Sequence, residues 1–353
     1  MRVLVIALSG IGDALLFTPA ALILRTKFPE AVIDALVMFR GAQQVYERTR
    51  LFDNVIYHDF LNGSKTRSLK LVLGMRGKYD YSINIYPSNR KEYNLINYLV
   101  GSNRRGGVEY LRRNVRELGF LNNMTIIEND NLHCVEENVA LCEKMFGFKA
   151  AGIPDLHLPL IENDRQFAGS FCKSHGITSE DTVVGFHAGT ATFKNHIRRR
   201  WEPEKFAELA RRLVAERSAK VLVFGGPDEE ELKREISTGA GSPNVIPVDS
   251  PGIPEAAALV ERCNVFVTND SSMMHVASAM KRKVVAIIGP TNTNYIHPWH
   301  TDYEIASLNL ECSPCFYYSP RPLKCSRSDV KFKCVKELGV DPVYEKTLSL
   351  MNK

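Results

Sequence analysis

Short runs of apolar, β-branched residues alternate with longer helix-like stretches along this chain. The first series of runs lies at Val3–Leu8, Ala31–Val37, Asn54–Tyr57 and Tyr81–Ile85, with helices predicted at Asp13–Lys27, Lys91–Val100 and Leu132–Phe146. The second series lies at Thr182–Phe186, Lys220–Phe224, Asn244–Val248, Asn264–Thr268 and Lys283–Ile288, with helices predicted at Glu202–Glu216, Asp228–Ser237, Pro254–Cys263 and Ser271–Met280. Strands that alternate with helices predict parallel sheets covered by helices on both faces.

The two series are separated by Ala151–Leu160, where proline and glycine predict a linker. A length of 353 residues suits two domains better than one. We therefore predict an α/β protein with two doubly wound, nucleotide-binding-type domains in tandem, over residues 1–155 and 156–353. The last stretch, Asp341–Met351, predicts a terminal helix that could pack back on the first domain.

The opening segment MRVLVIALSG places one basic residue before an apolar run, as a secretory signal does. Gly10, Gly12 and Asp13 interrupt that run, so we predict a buried first strand instead. No apolar stretch reaches the roughly 18–20 residues that a membrane helix needs. These features favour a cytoplasmic protein.

The positive charge of the chain is unevenly distributed. The net charge is +5, and residues 1–150 carry all of it, with 20 Lys and Arg against 15 Asp and Glu. Five arginines lie close together in that half: Arg104, Arg105, Arg112, Arg113 and Arg116. An anionic partner for the first half is one hypothesis, and a solvated basic face is the other. We expect no nucleic-acid partner.

The loop after the first strand, Ser9-Gly10-Ile11-Gly12-Asp13, has the residues of a tight turn that opens a helix toward a ligand. It is not a dinucleotide fingerprint, because Leu15 stands where the third glycine would be. The carboxylate of Asp13 could act as a general base on an acceptor hydroxyl. The alternative is an ordinary aspartate at a helix start.

Three loops of the second half follow predicted strands, where ligands bind in doubly wound folds. The first, at residues 185–201, offers Thr190 for a phosphate and the arginines Arg199 and Arg200 as a diphosphate clamp, whereas a solvated basic loop is the alternative. The second offers Asp270 for sugar hydroxyls and the helix start at Ser271 and Ser272 for a phosphate, with plain helix caps as the alternative. His275 lies one turn into that helix. The third, Gly289–Asn294, is a polar loop that suits a sugar or nucleotide edge.

Four of the eight cysteines cluster near the end of the chain, at Cys312, Cys315, Cys325 and Cys334. A C-x₂-C pair followed by two more thiols can bind zinc or iron tetrahedrally, although the spacing of the second pair is not that of a standard zinc finger. In a reducing cytosol, metal ligands or free thiols are expected rather than disulfides. A metal here would pin a long loop and take no part in catalysis.

The loops, in this order, resemble those of glycosyltransferase family 9, the lipopolysaccharide heptosyltransferases. The resemblance covers nearly the whole chain, through VLVIALSGIGDALLFTPAALILR, GFHAGT, RRRWEPEKFAELARRL, VLVFGGPDE, VFVTNDSSMMHVASAMKRKVVAIIGPT and CSPCF. It implies a GT-B fold, with two Rossmann-like domains facing across a cleft. The first would hold the acceptor and the second the nucleotide sugar.

The resemblance also implies the chemistry. Transfer would invert the anomeric carbon and require no metal or other cofactor. Asp13 matches the proposed base, Asp270 matches the aspartate that contacts the donor sugar, and the positions lining the diphosphate pocket are Thr190, Ser271, Ser272 and His275. The implied donor is ADP-L-glycero-D-manno-heptose. The implied acceptor is an anionic, lipid-linked inner-core glycan, which would suit a positive first domain and a peripheral position at the inner face of the inner membrane.

One departure from the family pattern concerns the donor site. Where many members carry Lys-Arg-Trp-Pro, this chain has Arg199-Arg200-Trp201-Glu202-Pro203. Arginine keeps the charge but changes the geometry, so the donor could be another nucleotide sugar. A nucleotide-sugar epimerase or dehydrogenase is disfavoured by the incomplete glycine fingerprint. A catalytically inactive glycan-binding protein is disfavoured by the presence of both Asp13 and Asp270.

Overall fold

A computed structural model describes residues 1–317 and 321–353 of the chain, and these residues divide into two units. The first unit comprises Met1–Pro159 together with Asn294–Ile296. The second comprises Leu160–Thr293, His297–Tyr317 and Arg321–Lys353. The division near residue 160 falls at the end of the predicted linker rather than at the predicted boundary of 155.

The first unit is built on a six-stranded parallel sheet with the order β3-β2-β1-β4-β5-β6. Its strands are β1 (Arg2–Ala7), β2 (Val32–Val37), β3 (Asn54–Tyr57), β4 (Tyr81–Asn84), β5 (Arg104–Glu109) and β6 (Met124–Ile127). Its helices are α1 (Ile11–Lys27), α2 (Arg40–Thr49), α3 (Lys65–Gly74), α4 (Lys91–Val100) and α5 (Cys134–Phe146), with a 3₁₀ turn at Gly119–Leu121.

Helices cover both faces of this sheet. Helix α1 packs between α2 and α5, and it is buried along most of its length because it is apolar on nearly all sides. Helix α3 packs beside α4 over an apolar cluster that includes Leu4, Leu36, Val72 and Tyr93. The central strand β1 is a continuous apolar run, as expected for a parallel strand that is buried on both faces.

The second unit repeats the design, with the order β12-β11-β10-β7-β8-β9 and all strands parallel. Its strands are β7 (Val183–His187), β8 (Lys220–Phe224), β9 (Val245–Pro247), β10 (Val265–Asn269), β11 (Lys283–Ile287) and β12 (Tyr303–Ala306). Its helices are α6 (Glu162–Ser174), α7 (Pro203–Arg217), α8 (Glu230–Ala240), α9 (Ile253–Val260), α10 (Ser272–Ala279), α12 (Lys333–Lys336) and α13 (Val340–Met351), and the short α11 (Thr293–Ile296) ends in residues of the first unit. The α/β fold with two doubly wound sheets is the predicted one.

The terminal helix α13 belongs to the second unit, where it packs against α7, β11 and β12. Its buried side chains, among them Val343 and Leu350, join the same core as Trp201. The apolar face of this helix is therefore used within the second unit, and its return to the first domain stays a prediction. Within the described ranges, no helix has both the length and the apolar character needed to cross a bilayer.

Candidate active site

The loop after β1 lies where the strand order of the first unit reverses, which is the usual ligand position in a doubly wound sheet. Asp13 is in the first turn of α1, and its Oδ2 accepts a hydrogen bond from the backbone N–H of Gly10 at 2.9 Å. The Ser9 hydroxyl donates to the carbonyl oxygen of Pro87 at 2.7 Å. This contact ties the loop after β1 to the loop after its neighbour β4.

The negative charge of Asp13 helps to raise the pKa values of three buried tyrosines. Burial is the main cause that raises the pKa of Tyr93 to about 12, and the Asp13 charge adds to it. Burial and the same charge hold the pKa values of Tyr46 and Tyr110 well above their ordinary value. These phenols therefore stay protonated at neutral pH, and the Asp13 carboxylate beside them is half-buried.

In the second unit, the loop after β7 is held by Arg200. Its guanidinium donates to the carbonyl oxygen of Thr190 at 2.7 Å and to Glu229 at 3.1 Å. The other carboxylate oxygen of Glu229 lies 3.3 Å from Nε2 of His187, at the end of β7. Although burial alone raises the pKa of Glu229, the hydrogen bond and charge of His187 together with Arg200 lower it below its ordinary value. Glu229 is therefore an anion paired with a cation.

A second ion pair joins Arg199 to Asp270, immediately after β10. Both side chains are about nine-tenths buried, with 11% and 10% of their surfaces exposed. The Thr291 hydroxyl, in the loop after β11, donates to the same oxygen of Asp270 at 2.6 Å. The Arg199 guanidinium also lies 5.4 Å from the ring centre of Phe316. Buried charges require partners of this kind, and a ligand anion could replace one of them.

Helix α10 begins at Ser272, with Ser271 as its N-cap. The Ser271 hydroxyl lies 2.9 Å from Nδ1 of His187 and 3.1 Å from the Thr268 hydroxyl, so it joins β7 to β10. One turn later, His275 is buried, and that burial lowers its pKa to about 4. This histidine is therefore neutral at physiological pH.

Three buried nitrogens around these loops have no hydrogen-bond partner in the part of the chain that the structure describes. They are Nε2 of His196, Nε of Arg199 and Nδ1 of His275. Burial and the charge of Arg199 lower the pKa of His196 to about 3, so this ring is neutral as well. Because buried polar groups are nearly always hydrogen-bonded, unsatisfied atoms clustered around one set of loops favour a polar ligand.

A family model described as glycosyltransferase family 9 (heptosyltransferase) matches residues 69–325. The chain belongs to glycosyltransferase family 9. It is 27% identical over 315 residues to lipopolysaccharide heptosyltransferase 2 of Salmonella typhimurium strain LT2, covering 84% of this chain and 85% of that protein.

Solved structures share its fold. The ADP-heptose lipopolysaccharide heptosyltransferase II of Escherichia coli matches with a TM-score of 0.75 and 21% identity, over 100% of this chain and 99% of that one. The E. coli heptosyltransferase WaaC with ADP matches with a TM-score of 0.65 and 19% identity, over 87% and 93%. The predicted GT-B fold class is confirmed, and this family 9 chain is a glycosyltransferase enzyme.

The structure brings together the residues that the sequence analysis assigned to the donor site of this family 9 enzyme. Thr190, Arg199, Arg200, Asp270, Ser271, Ser272 and His275 all lie in loops at the carboxyl ends of β7 and β10 or in the first turn after them. Arg198 is exposed and lies outside the ion pairs that the structure describes. For this arginine, the alternative of a solvated basic loop holds.

Four residues of this network were missed by the sequence analysis as site residues: His187, His196, Glu229 and Thr291. A signal was present for Glu229, because GGPDE directly follows the predicted strand Lys220–Phe224. The other three stand in loops that the analysis had already marked as polar or ligand-binding.

The cysteine cluster does not form the metal site that its spacing allowed. All four thiols are free, and burial together with the neighbouring thiols raises the pKa of Cys334 to about 11. Over residues 1–317 and 321–353, no three His, Cys, Asp or Glu side chains form a group that could hold a metal ion. The predicted zinc or iron ligands Cys312, Cys315, Cys325 and Cys334 therefore do not fit such a site here, and we assign them no metal.

Proposed function

We propose that this enzyme transfers a heptose from ADP-L-glycero-D-manno-heptose to a lipid-linked inner-core acceptor, with inversion at the anomeric carbon. The observation that carries the proposal is the pair of partly buried arginines, Arg199 and Arg200, held beside carboxylates that follow β10 and β8. The names of the relatives, lipopolysaccharide heptosyltransferase 2 and ADP-heptose heptosyltransferase II, support heptose as the sugar and ADP as the carrier.

The donor would bind in the second unit. Arg199, Arg200 and the backbone N–H groups at the start of α10 stabilise the charge that builds on the leaving diphosphate. Thr190, Ser271, Ser272 and His275 supply hydrogen bonds around it. Asp270 contacts hydroxyls of the donor sugar, because a carboxylate accepts hydrogen bonds from hydroxyl groups. Arg199 and Arg200 are already held in this part of the second unit by Asp270 and Glu229, which limits the reorganisation needed during transfer.

The acceptor would bind in the first unit. Asp13 takes the proton from the acceptor hydroxyl as that oxygen attacks the anomeric carbon, and the carbon–oxygen bond to the diphosphate breaks. The Gly10 N–H holds one carboxylate oxygen in place. No step uses a metal or another cofactor. We place the enzyme in the cytoplasm, at the inner face of the inner membrane, because a lipid-linked acceptor would be there.

Calorimetric titration with ADP-heptose, other ADP-, GDP- and UDP-sugars, and NAD tests the donor. Selective binding of ADP-heptose is expected. Selective binding of another sugar nucleotide would keep the chemistry but replace the sugar, and the arginine at position 199 is the feature that favours this second candidate. Binding of NAD, or binding of a donor without any transfer to inner-core glycans, would contradict the proposal.

The same titration tests the sugar contact. Asp270→Asn is expected to weaken ADP-heptose more than ADP, by about fivefold to tenfold, because only the sugar loses a charged hydrogen-bond acceptor. Asp302→Asn, which changes an exposed carboxylate of the second unit, serves as the matched control and should bind both ligands as the wild type does. Equal losses for both ligands would contradict a sugar-contacting role for Asp270.

A further inference from the structure

Two helices on one face of the first sheet present a second apolar row, directed away from the core. In α3 this row follows a lysine, as Lys65, Leu69 and Leu73, at four-residue spacing. The inner faces of α3 and α4 already pack on the core, since Val72 of α3 and Tyr93 of α4 are buried in the apolar cluster beneath the two helices. The leucines of the outer row nevertheless remain 51% and 45% exposed.

Helix α4 repeats the arrangement of α3. Its outer row is Lys91, Leu95 and Tyr98, and the two apolar side chains are 44% and 46% exposed. Because α3 packs beside α4, the two rows are neighbours. Two adjacent helices with the same lysine-led apolar row form a surface that packing of the core does not explain.

Further exposed apolar side chains extend this surface. Helix α4 packs against the 3₁₀ turn that carries Phe120, which is 62% exposed. The segment leading into that turn carries Leu111 and Val115, which are 52% and 74% exposed. We call the outer residues of α3, α4 and residues 111–120 the α3–α4 face. Monomeric proteins rarely expose contiguous apolar surface of this kind unless it is an interaction site.

The stretch of chain that contains the α3–α4 face, residues 61–120, also concentrates the positive charge of the protein. Residues 61–120 contain twelve Lys and Arg against four Asp and Glu, a net charge of +8, which exceeds the +5 of the whole protein. Several of these basic side chains are exposed: Lys65, Arg67, Lys70, Lys91 and Arg116. Others are engaged within the unit, since Arg112 forms a bidentate pair with Asp130 and Arg113 pairs with Glu117.

We propose that the α3–α4 face docks on a bilayer surface that contains anionic lipid. Leucine, tyrosine and phenylalanine side chains would enter the boundary between headgroups and acyl chains, and the interspersed lysines and arginines would contact lipid phosphates. Charge favours this occupant over a protein, because the apolar centre of a protein interface is usually depleted of charged residues. Here lysines begin both apolar rows.

Docking at this face would serve the proposed reaction. Because α3 and α4 follow the carboxyl ends of β3 and β4, their first residues lie at the edge of the sheet that carries Asp13. A bilayer contact there would bring the acceptor side of the first unit to the surface where a lipid-linked acceptor lies. This benefit rests on the proposed function, but membrane binding is measured without any acceptor.

The test is flotation of the full chain with vesicles. We expect binding to vesicles of mixed phosphatidylglycerol and phosphatidylcholine, weak binding to phosphatidylcholine alone, and release at high salt, because exposed charges are screened. Leu69→Glu with Leu95→Glu should lower the bound fraction about tenfold or more. The control, Ile161→Glu with Tyr303→Glu, changes exposed apolar residues of the second unit and should bind as the wild type does.

A second variant tests the charge. Lys65→Gln, Lys70→Gln and Lys91→Gln together should lower binding to anionic vesicles about tenfold or more, whereas Lys173→Gln, Lys324→Gln and Lys353→Gln should not. Equal binding to neutral vesicles, absence of vesicle binding, or self-association that Leu69→Glu abolishes would each overturn the proposal. Transfer to a delipidated acceptor should stay normal in the α3–α4 variants, so failure of that reaction in the wild type would count against the proposed function alone.

Discussion

The two units share one strand order, yet the loops at their switch points carry different chemistry. In each sheet the first strand lies between the second and the fourth, and a side chain ties the loop after the first strand to the loop after the fourth. In the first unit this contact is Ser9 to Pro87, and in the second it is His187 to Ser271. The scaffold therefore sets the position of a ligand, and the loops decide which ligand it is.

The difference lies in how charge is arranged. The loop after β1 offers the carboxylate of Asp13, with one oxygen held by the Gly10 N–H, which suits proton transfer. The loops after β7, β8 and β10 hold two partly buried arginines against two carboxylates, which suits a polyanion. If this contrast is correct, changes in the first unit should affect turnover, and changes in the second should affect donor affinity.

Asp13→Asn should break the contrast most visibly. The amide can still accept the Gly10 hydrogen bond but cannot take a proton, so we expect turnover to fall at least about a hundredfold. Donor affinity, measured by calorimetry, should stay unchanged. Asp59→Asn, which alters an exposed carboxylate in the same unit, is the control. Near-normal turnover in Asp13→Asn would remove Asp13 from the role of base.

Arg199→Gln should have the next largest effect, this time on binding. It removes a charged donor and leaves Asp270 without its cation, so we expect ADP affinity to fall about tenfold or more. Arg199→Lys keeps the charge, so its affinity for ADP should lie between those of the wild type and Arg199→Gln. The neighbour Arg198 is exposed, and Arg198→Gln should bind ADP as the wild type does. ADP binding that is the same in Arg199→Gln and Arg198→Gln would contradict a clamp at residue 199.

The central strands were predicted from the sequence to within one residue, because burial on both faces imposes continuous apolar runs. Helices α1, α4, α5, α7, α10 and α13 were predicted to within two residues, whereas α2, α3 and α6 were not predicted. Strands β5, β6 and β12 were missed. Strand β5 reads RRGGVE, which has no strand-like pattern. Glycine is favoured at position 106, because a Cβ atom there would lie 2.1 Å from the sulfur of Met145 and that side chain would have to shift. Such a requirement comes from a neighbour 39 residues away in the chain and leaves little local signal.

The loops that carry the proposed donor-site residues could be predicted, because they directly follow strands, where the fold places ligands. Their partners could not. Glu229 meets His187 and Arg200 only when the loops after β8 and β7 come together, and Arg199 meets Asp270 across 71 residues of chain. Nothing local indicates which carboxylate a given arginine will pair with. The cysteine spacing left metal ligands and free thiols both open for a related reason, since spacing alone does not determine the geometry of four thiols.

The two units should also respond oppositely to acid. In the first, burial raises the pKa of Glu137 to about 7. Between the ordinary pKa of glutamate and pH 7, the folded state therefore holds a proton that the unfolded chain has released. This stabilisation is complete at low pH and is lost as pH rises through 7. In the second, burial lowers the pKa of His275 to about 4, so stability is complete above the ordinary histidine value and is lost toward pH 4.

Urea unfolding at pH 7 and pH 5.5 measures both effects. Both tryptophans, Trp201 and Trp299, lie in the second unit, so their fluorescence follows that unit, whereas circular dichroism follows both. Because the pKa values of His275 and His196 are both lowered in the second unit, acidification should lower the free energy of unfolding seen by tryptophan by about 2 kcal/mol, and His275→Gln should remove about half of that loss. Glu137→Gln should remove a gain of similar size from the transition that tryptophan does not report. If both transitions shifted together in every variant, the two units would unfold cooperatively with one free energy of unfolding, which would contradict opposite responses to acid.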